Sequence, residues 1–419
     1  MGGDQRAGMV VLVACALALG GGFALKSRCS EVPWDGRHYG ALCYNDIQAL
    51  YGARGIDRQT FPYIHGSLRA GELRGGAIEY PVLTGLLMWA GGLFASDYRG
   101  YLPVSALLLA PFGLAAAALL WALAGRRALL WAASPALVLY AFHNWDLPAV
   151  AASVLALWLW TRDRPGAAGA ALGFGAAFKL YPALFLPALV LDRLFRRDLR
   201  GVAAAAGDGA GAFVAVNAPF ALVNFSGWWA TYEFHARRVA DFNSFYIWGL
   251  RPLALDPGRL NLAVAYLTAT SSILALAWAY RRARSDGSFP LVQVCAALLV
   301  AFMLWSKVHS PQYALWVLPF FCLLRVGIGW WVAYSLADLA VYVGIFRWFY
   351  DFSLSGDASE WTPAKVLLVS GVWLRAALLL LLFFVFLRSQ SALRVAPATE
   401  NPSHAPSNVS PDTQPARLV

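Results

Sequence analysis

The composition of this 419-residue chain indicates that its solvent is a lipid bilayer. Hydrophobic residues make up 59% of the sequence and charged residues 13%, whereas soluble domains contain about 45–50% and about 25%. Soluble enzymes and secreted proteins are excluded, because too little polar surface remains to cover a water-facing globule. Nucleic acid is not an expected partner, since most of the net charge of +10 lies in short arginine clusters between apolar runs.

The apolar runs predict a polytopic, all-α integral membrane protein. The first run, 8–25, has no small-residue cleavage site and is expected to remain as an uncleaved helix. A polar segment at 26–78 precedes the run at 81–96, which is shorter than the ~20 residues needed to cross a bilayer. Later runs are expected at 101–124, 128–142, 147–160, 165–179, 182–192, 202–224, 261–280, 289–305, 312–325, 327–346 and 363–387.

The end of the chain has a different composition. Residues 389–419 are rich in Pro, Ser, Ala and Asn, which is typical of a disordered segment. We therefore expect a transmembrane domain at 1–388 and a disordered cytoplasmic tail at 389–419.

Arginines in four short connections predict the orientation, because short cytoplasmic loops are enriched in basic residues. If all four are cytoplasmic, an even number of crossings separates each neighbouring pair, and the run at 81–96 cannot cross. About twelve crossings with both termini inside are expected, and eleven or thirteen stay open. The clusters are Arg126 and Arg127; Arg162 and Arg164; Arg193, Arg196, Arg197 and Arg200; and Arg281, Arg282 and Arg284.

This orientation gathers the unusual polar motifs on the outer face. They lie in a first outer loop at 26–100 and in short outer turns near residues 143–146, 179–182 and 306–313. Ionisable residues at such turns are costly to desolvate and are functional candidates. The candidate site residues are Asp46, Glu79, Tyr80, Asn144, Asp146, Lys179, Tyr181, Lys307, His309, Gln312 and Tyr313.

These residue types suit the transfer of a sugar from a phosphate-linked donor. A carboxylate such as Asp46 can accept the proton of a hydroxyl that attacks an anomeric carbon. Lys179, Lys307 and His309 can stabilise the charge on a departing phosphate. Nucleotide sugars are not normally available outside the cytoplasmic membrane, so the donor is expected to be lipid-linked.

Each candidate also has a structural explanation. Asp46 can be a solvated loop acid, Glu79 can stabilise a helix start, and Asp146 can be an N-cap. Lys179 can extend to the membrane interface, and His309 can be a hydrogen-bonded turn residue. Several tryptophans are expected in the interfacial aromatic belt, namely Trp228, Trp229, Trp348 and Trp361.

Two cysteines flank a polar part of the first outer loop. Cys29 and Cys43 can form a disulfide if the loop faces an oxidising compartment. They can equally remain free thiols, because sequence separation does not fix their geometry.

Five motifs lie in order along the chain: Tyr44-Asn45-Asp46-Ile47, Glu79-Tyr80-Pro81, Asn144-Trp145-Asp146, Phe178-Lys179-Leu180-Tyr181-Pro182 and Lys307-Val308-His309-Ser310-Pro311-Gln312-Tyr313. Their order and spacing resemble glycosyltransferase family 87 of the C-type membrane glycosyltransferase superfamily. This actinobacterial group includes polyprenyl-phosphomannose-dependent mannosyltransferases of cell-envelope glycolipids.

The resemblance implies a C-type fold with membrane-surface helices in the first outer loop and a general base at Asp46. It also implies a polyprenyl-phosphate sugar donor, mannose as the sugar, inversion at the anomeric carbon, and a glycolipid or polysaccharide acceptor outside the plasma membrane. Lys179 and His309 match positions that bind the donor phosphate. The first loop has no Asp-x-Asp or Asp-Asp pair, so no cofactor is expected, with a divalent metal as the alternative.

Two other functions remain open. A lipid or sugar transporter or flippase would place polar residues near the bilayer midplane, often on broken helices related by inverted repeats. Here the ionisable residues are expected at helix ends on one face, which favours an enzyme. The second alternative is a non-catalytic assembly partner that has kept the fold.

Overall fold

The computed structural model describes residues 3–394, which are mainly helical. In chain order the α-helices are α1 (Gly3–Ser27), α2 (Arg37–Gly40), α3 (Asp46–Ala53), α4 (Val82–Gly92), α5 (Tyr98–Ala124), α6 (Leu129–Ala132), α7 (Pro135–Tyr140), α8 (Leu147–Trp160), α9 (Pro165–Ala176), α10 (Leu186–Phe195), α11 (Leu199–Val223), α12 (Phe225–Arg237), α13 (Phe245–Gly249), α14 (Arg251–Ala254), α15 (Pro257–Asp286), α16 (Leu291–Trp305), α17 (Ala314–Leu323), α18 (Ile328–Ser355) and α19 (Pro363–Arg388). Short 3₁₀ helices lie at Arg28–Ser30, Gly125–Ala128, Tyr181–Phe185 and Pro311–Tyr313, and two strands are β1 (Ser67–Arg69) and β2 (Glu72–Arg74).

Six of these helices are long and apolar enough to cross a membrane by length and composition. They are α1, α5, α11, α15, α18 and α19. Shorter apolar helices pack among them, including α8 and α16. The chain is therefore a multi-pass, mostly helical membrane protein, as its composition predicts.

The arginine-rich connections lie together at one end of the helix bundle, which we call the arginine end. Arg127 donates hydrogen bonds to backbone carbonyls at the end of α17. Arg394 pairs with Asp4 at the start of α1. The first and last described segments therefore lie at the same end of the bundle.

Two further contacts bring the remaining arginine clusters to this end. Arg193 at the end of α10 pairs with Asp163, which lies between α8 and α9. The ring of Phe195 lies 6.4 Å from that of Tyr280 near the end of α15. These contacts group the arginine-rich connections at one end of the bundle, as the sequence predicts.

The polar turns lie together at the opposite end, which we call the site end. The amide of Asp46 donates to the carbonyl of His143, and the amide of Leu83 donates to the carbonyl of Ala177. Residue 241 is bonded in the same way to the turn after α16. Backbone hydrogen bonds therefore hold the first loop and the later turns in one layer.

Helix α4 lies within this layer. Its eleven residues rise about 16 Å, roughly half of the ~30 Å hydrocarbon thickness. The hydroxyl of Thr84 donates to the carbonyl of Phe178 at 2.7 Å. This contact fixes the start of α4 beside the turn that follows α9.

Small residues allow two helices under the site to approach closely. A side chain at Gly169 or Gly173 of α9 would come within 2.0 Å of a carbonyl oxygen of α11. Small residues at such contacts are typical of helix packing in membranes. The α9–α11 pair is therefore held together by backbone proximity.

The first loop contains a hairpin that an all-α prediction does not include. Strands β1 and β2 pair antiparallel, and both residues between them, Ala70 and Gly71, have positive φ. Two consecutive positive φ angles are typical of the turns that join hairpin strands. The amide of Asn224 donates to carbonyls of the preceding segment, which attaches the hairpin to α12.

A disulfide joins Cys29 to Cys43 in the same loop. It links the segment after α1 to the residues just before α3, which begins at Asp46. The conformational freedom of the chain before α3 is thereby reduced.

Residues 389–394, which the sequence assigns to the tail, pack against the helix bundle. Residues 390 and 392 form backbone hydrogen bonds with Arg325 and Leu323, and Arg394 bonds to Leu123. The remainder of the tail predicted at 389–419, from residue 395 onward, lies outside the described residues.

Candidate functional site

A cavity of about 1560 Å³ opens at the site end. It is enclosed by the first loop, by the turns at residues 143, 179 and 308–313, by the segment 234–255, and by the end of α18 with the residues that follow it. Six residues that the sequence singles out line its wall: Asp46, Glu79, Tyr80, Lys179, Gln312 and Tyr313.

Asp46 is placed by the start of α3. The side chain of Asn45 caps this helix by accepting from the amide of Gln48, so the Asp46 carboxylate is free to face the cavity. It accepts hydrogen bonds from the Tyr44 hydroxyl at 3.0 Å and from the Asn144 amide at 2.7 Å. Burial raises the pKa of the Asp46 carboxyl above its usual value, and these two hydrogen bonds oppose the shift.

Asn144 connects the acidic and basic parts of the site. Its amide nitrogen donates to Asp46 and, at 2.6 Å, to the Tyr80 hydroxyl. Its amide oxygen accepts from the Nζ of Lys179 at 3.0 Å. One side chain therefore fixes the positions of three cavity residues without lining the cavity itself.

Lys179 contributes a positive charge to the cavity wall. Its Nζ lies 3.9 Å from the centre of the Tyr80 ring and 3.6 Å from the Asp146 carboxylate. Burial lowers the pKa of Lys179, and the carboxylates of Asp146 and Asp46 oppose this shift. The ammonium group is therefore held by an aromatic face and by nearby negative charge.

Asp146 lies behind this wall. It is fully buried and accepts from the indole nitrogen of Trp316 at 2.8 Å. The rings of Tyr181 and Tyr313 both stack on Trp316. Asp146 and Tyr181 thus form a layer that supports Lys179, and of these stacked residues Tyr313 reaches the cavity.

Glu79 is paired with a residue that the sequence does not single out as part of the site. The guanidinium of Arg54 contacts both Glu79 carboxylate oxygens, at 2.6 and 2.9 Å. The backbone carbonyl of Glu79 lies 2.7 Å from the ring of His235. Glu79 therefore joins the first loop to α12.

Lys307 and His309 do not appear among the described residues that line the cavity. The Nζ of Lys307 donates to the carbonyls of Ala236 and Arg238 and to the side chain of Asn261. The His309 ring is buried and bonds to the carbonyl of Met303 at 2.9 Å. Both side chains hold backbone segments around the cavity, which differs from the phosphate-binding role that the sequence suggests for them.

Several other residues of the cavity wall escape the sequence analysis. His235 and Arg238 line it from the segment that follows α11. Arginines outside the four predicted cytoplasmic clusters could have drawn attention to this segment. Trp348 and Trp361, expected in the interfacial belt, also line the cavity, and Trp348 is only 4% exposed.

Lys26 lies beneath the start of α3 and is fully buried. Its Nζ donates to the carbonyl of Tyr44 and to the hydroxyl of Tyr342, both at 2.9 Å, and lies 3.3 Å from the ring of His143. These contacts fix the Tyr44 carbonyl and the His143 ring, which flank the backbone hydrogen bond from Asp46 to His143. The sequence analysis does not single out Lys26, although it directly follows the first apolar run.

The acidic residues next to Asp46 have partners of their own. Glu79 is bonded to Arg54, and Asp146 to Trp316 and Lys179. Within residues 3–394 no group of three or more His, Cys, Asp or Glu side chains is placed to hold a metal ion.

The apolar helices identify a membrane protein, and the polar cavity at one end of the bundle is its candidate functional site. The profile of glycosyltransferase family 87 matches residues 79–306, more than half of the chain. The chain therefore belongs to glycosyltransferase family 87, as its motifs suggested, and is a membrane glycosyltransferase. Comparisons with curated proteins and with solved structures give no significant match.

The buried contacts of Lys26 lead to a prediction about stability. Replacing Lys26 with Met removes its hydrogen bonds to the Tyr44 carbonyl and the Tyr342 hydroxyl. The His143 ring also lies within hydrogen-bond distance of that carbonyl, so one buried group loses its donor, at a cost of about 1–3 kcal/mol. We expect the Lys26→Met variant to lose free energy of unfolding in this range, measured by denaturant titration in detergent. Tyr342→Phe removes part of the same network, so the double variant should lose less than the sum of the single losses. Strictly additive losses would show that the two residues are not coupled.

Proposed function

We propose that this chain transfers a sugar, mannose, from a polyprenyl-phosphate donor to a glycolipid or polysaccharide acceptor of the cell envelope. The observation that carries the proposal is the Asp46 carboxylate, held by Asn144 beside Lys179 in a large cavity of a family 87 glycosyltransferase. A base and a phosphate-binding cation in one cavity are the two groups that such a transfer requires.

In the proposed mechanism Asp46 acts as the general base. It takes the proton of the acceptor hydroxyl while that oxygen attacks the anomeric carbon of the donor sugar. The bond between the anomeric carbon and the phosphate oxygen breaks, and the lipid phosphate leaves with the electron pair. Attack from the side opposite the leaving group inverts the configuration. The raised pKa of Asp46 supports this role, because a carboxylate with a higher pKa is a stronger base.

The donor phosphate is proposed to bind Lys179, with His235 and Arg238 as further partners. All three side chains line the cavity. Arg238 is paired with Asp241 but stays partly exposed, so its guanidinium can still be reached from the cavity. Lys307 then contributes indirectly by holding the segment that carries Arg238, and His309 by holding the turn after α16 against Met303.

Transfer is proposed to proceed without a bound metal. The support is the set of acidic residues around Asp46, since Glu79 and Asp146 are each engaged by a neighbouring cation. A divalent ion that used these carboxylates would have to displace both pairs.

The site end is proposed to face the outside of the plasma membrane, with twelve crossings and both termini in the cytoplasm. Six shorter segments would then cross in addition to the long helices, at 129–140, 147–160, 165–176, 181–195, 291–305 and 311–323. The grouping of arginines at the opposite end supports this orientation. The Cys29–Cys43 disulfide supports it independently, because disulfides persist in oxidising compartments.

The transporter alternative is less consistent with the geometry. A transported substrate is usually bound near the bilayer midplane, whereas the cavity is enclosed by loops and helix ends. The Asn144 amide also joins Asp46 to Lys179, which places a proton acceptor beside a cation for the leaving phosphate.

The Asp46→Asn variant tests the proposed role of Asp46 as the general base. We expect sugar transfer to fall by about 10²–10⁴-fold while thermal stability is retained, because the amide keeps the shape and loses the basicity. The assay uses proteoliposomes with polyprenyl-phosphomannose or polyprenyl-phosphoarabinose as donor and a membrane lipid extract as acceptor. Asp57→Asn, in the same loop but outside the cavity wall, is the matched control. Equal transfer by wild type and Asp46→Asn would remove Asp46 from the base role.

The pH dependence provides a second test. The rate should rise with pH as Asp46 ionises, and this rise forms the acidic limb of the pH profile. Because burial raises the pKa of Asp46, the limb should lie at higher pH than it would for an ordinary carboxyl group. The Lys179 charge lowers the pKa of Asp46, so Lys179→Met should move the limb to still higher pH. The measurement is the pH profile of kcat for both proteins. A limb that stays in place or moves to lower pH in Lys179→Met would contradict the assignment.

Single-cysteine labelling tests the orientation. Ser359 at the site end and Ser285 at the arginine end are both exposed, so Ser359→Cys and Ser285→Cys form a matched pair. A membrane-impermeant maleimide added to intact cells should label Ser359→Cys, and should label Ser285→Cys only after permeabilisation. The reverse pattern would place the cavity on the cytoplasmic side.

A further inference from the structure

Two apolar grooves flank the C-terminal part of α19, and both contain Arg388. The first groove, of about 520 Å³, lies among α15, α16 and α19 and contains Arg281. The second, of about 660 Å³, lies between α19 and the start of α18 and contains Arg325. Phe384 lines both, so the two grooves meet along one face of α19.

The three arginines carry positive charge that no acidic residue offsets. Arg281, Arg325 and Arg388 are exposed, and none has a carboxylate partner among residues 3–394. The neighbouring Arg282, in contrast, is paired with Asp286. The grooves therefore combine apolar walls with uncompensated charge at the arginine end of the bundle.

The first groove has the length of one bilayer leaflet. Its wall on α15 runs from Ser271 to Arg281, a rise of about 15 Å. Half of the ~30 Å hydrocarbon core is the same distance. The apolar side chains along it are open to the surroundings, with Leu274 61% exposed and Phe384 47% exposed.

We propose that these grooves bind an anionic phospholipid, with its phosphate between Arg388 and either Arg281 or Arg325. The acyl chains would lie along α19 and pack against Phe384. Basic pockets between transmembrane helices recognise such head groups. A lipid with two phosphates and four acyl chains fills both grooves at once and shares Arg388, whereas a zwitterionic lipid offers no net charge to offset the arginines.

This binding surface lies at the end of the bundle opposite the Asp46 cavity. It therefore depends neither on the identity of the sugar nor on the proposed reaction. It can be tested with the purified full chain even if no donor or acceptor has been found.

The test is lipid titration of the delipidated full chain in detergent, followed by native mass spectrometry and thermal unfolding. The probes are tetraoleoyl cardiolipin, dioleoyl phosphatidylglycerol and dioleoyl phosphatidylcholine, with glycerol phosphate as a head group without chains. We expect cardiolipin to bind most tightly and phosphatidylglycerol next, each raising the unfolding temperature. Phosphatidylcholine and glycerol phosphate should have little effect.

Variants distinguish lipid binding in the grooves from a general attraction of anionic lipids to basic residues. Arg281→Gln and Arg388→Gln should each weaken phosphatidylglycerol binding by about fivefold, the usual contribution of one basic residue near an anionic lipid. Arg284→Gln removes the same charge from the same helix but lines neither groove, so it should leave binding unchanged. Ala277→Phe fills the first groove while keeping its arginines, and it should weaken binding as much as Arg281→Gln.

Three results would overturn the proposal. One is equal binding of phosphatidylcholine and phosphatidylglycerol, and another is an equal loss of binding in Arg284→Gln and Arg281→Gln. The third is unchanged binding in Ala277→Phe with an unchanged unfolding temperature of the lipid-free protein, which would show that the groove itself is not occupied.

Discussion

The side-chain amide of Asn144 is the contact on which the arrangement of the site depends. An amide carries both a donor and an acceptor, so Asn144 can bond to the Asp46 carboxylate and to the Lys179 ammonium group at the same time. The Asp46 carboxylate and the Lys179 ammonium group are thereby held near each other without a direct ion pair. Direct pairing would favour the charged carboxylate and lower its pKa, which would weaken Asp46 as a base.

The groups around this contact are fixed by partners that lie outside the cavity. Lys26 holds the backbone below Asp46, Trp316 holds Asp146 behind Lys179, and Arg54 holds Glu79. Each is a buried or half-buried polar contact whose loss would leave a group unsatisfied, so the positions are strongly determined. Such preorganisation matters in transfer reactions, because groups already placed around the developing charge need no free energy to reorient in the transition state.

The two ends of the bundle differ in charge. At the site end, acidic and basic side chains face each other across a cavity. At the arginine end, basic residues close the connections between helices, and some of them border apolar grooves without an acidic partner. The charge asymmetry that predicts orientation thus also creates a surface suited to anionic head groups.

The sequence by itself determined the membrane class, the helical architecture, the family and the separation of arginines from the polar turns. These properties follow from composition and from the order of segments along the chain, which do not depend on side-chain direction. It also identified Asp46, Glu79 and Lys179, which line one cavity. Only the tertiary structure decided that Lys307 and His309 turn toward backbone carbonyls and that His235 and Arg238 face the cavity. Whether a polar side chain at a helix end meets the cavity or the backbone depends on which segments pack beside it, and no local pattern records those long-range contacts.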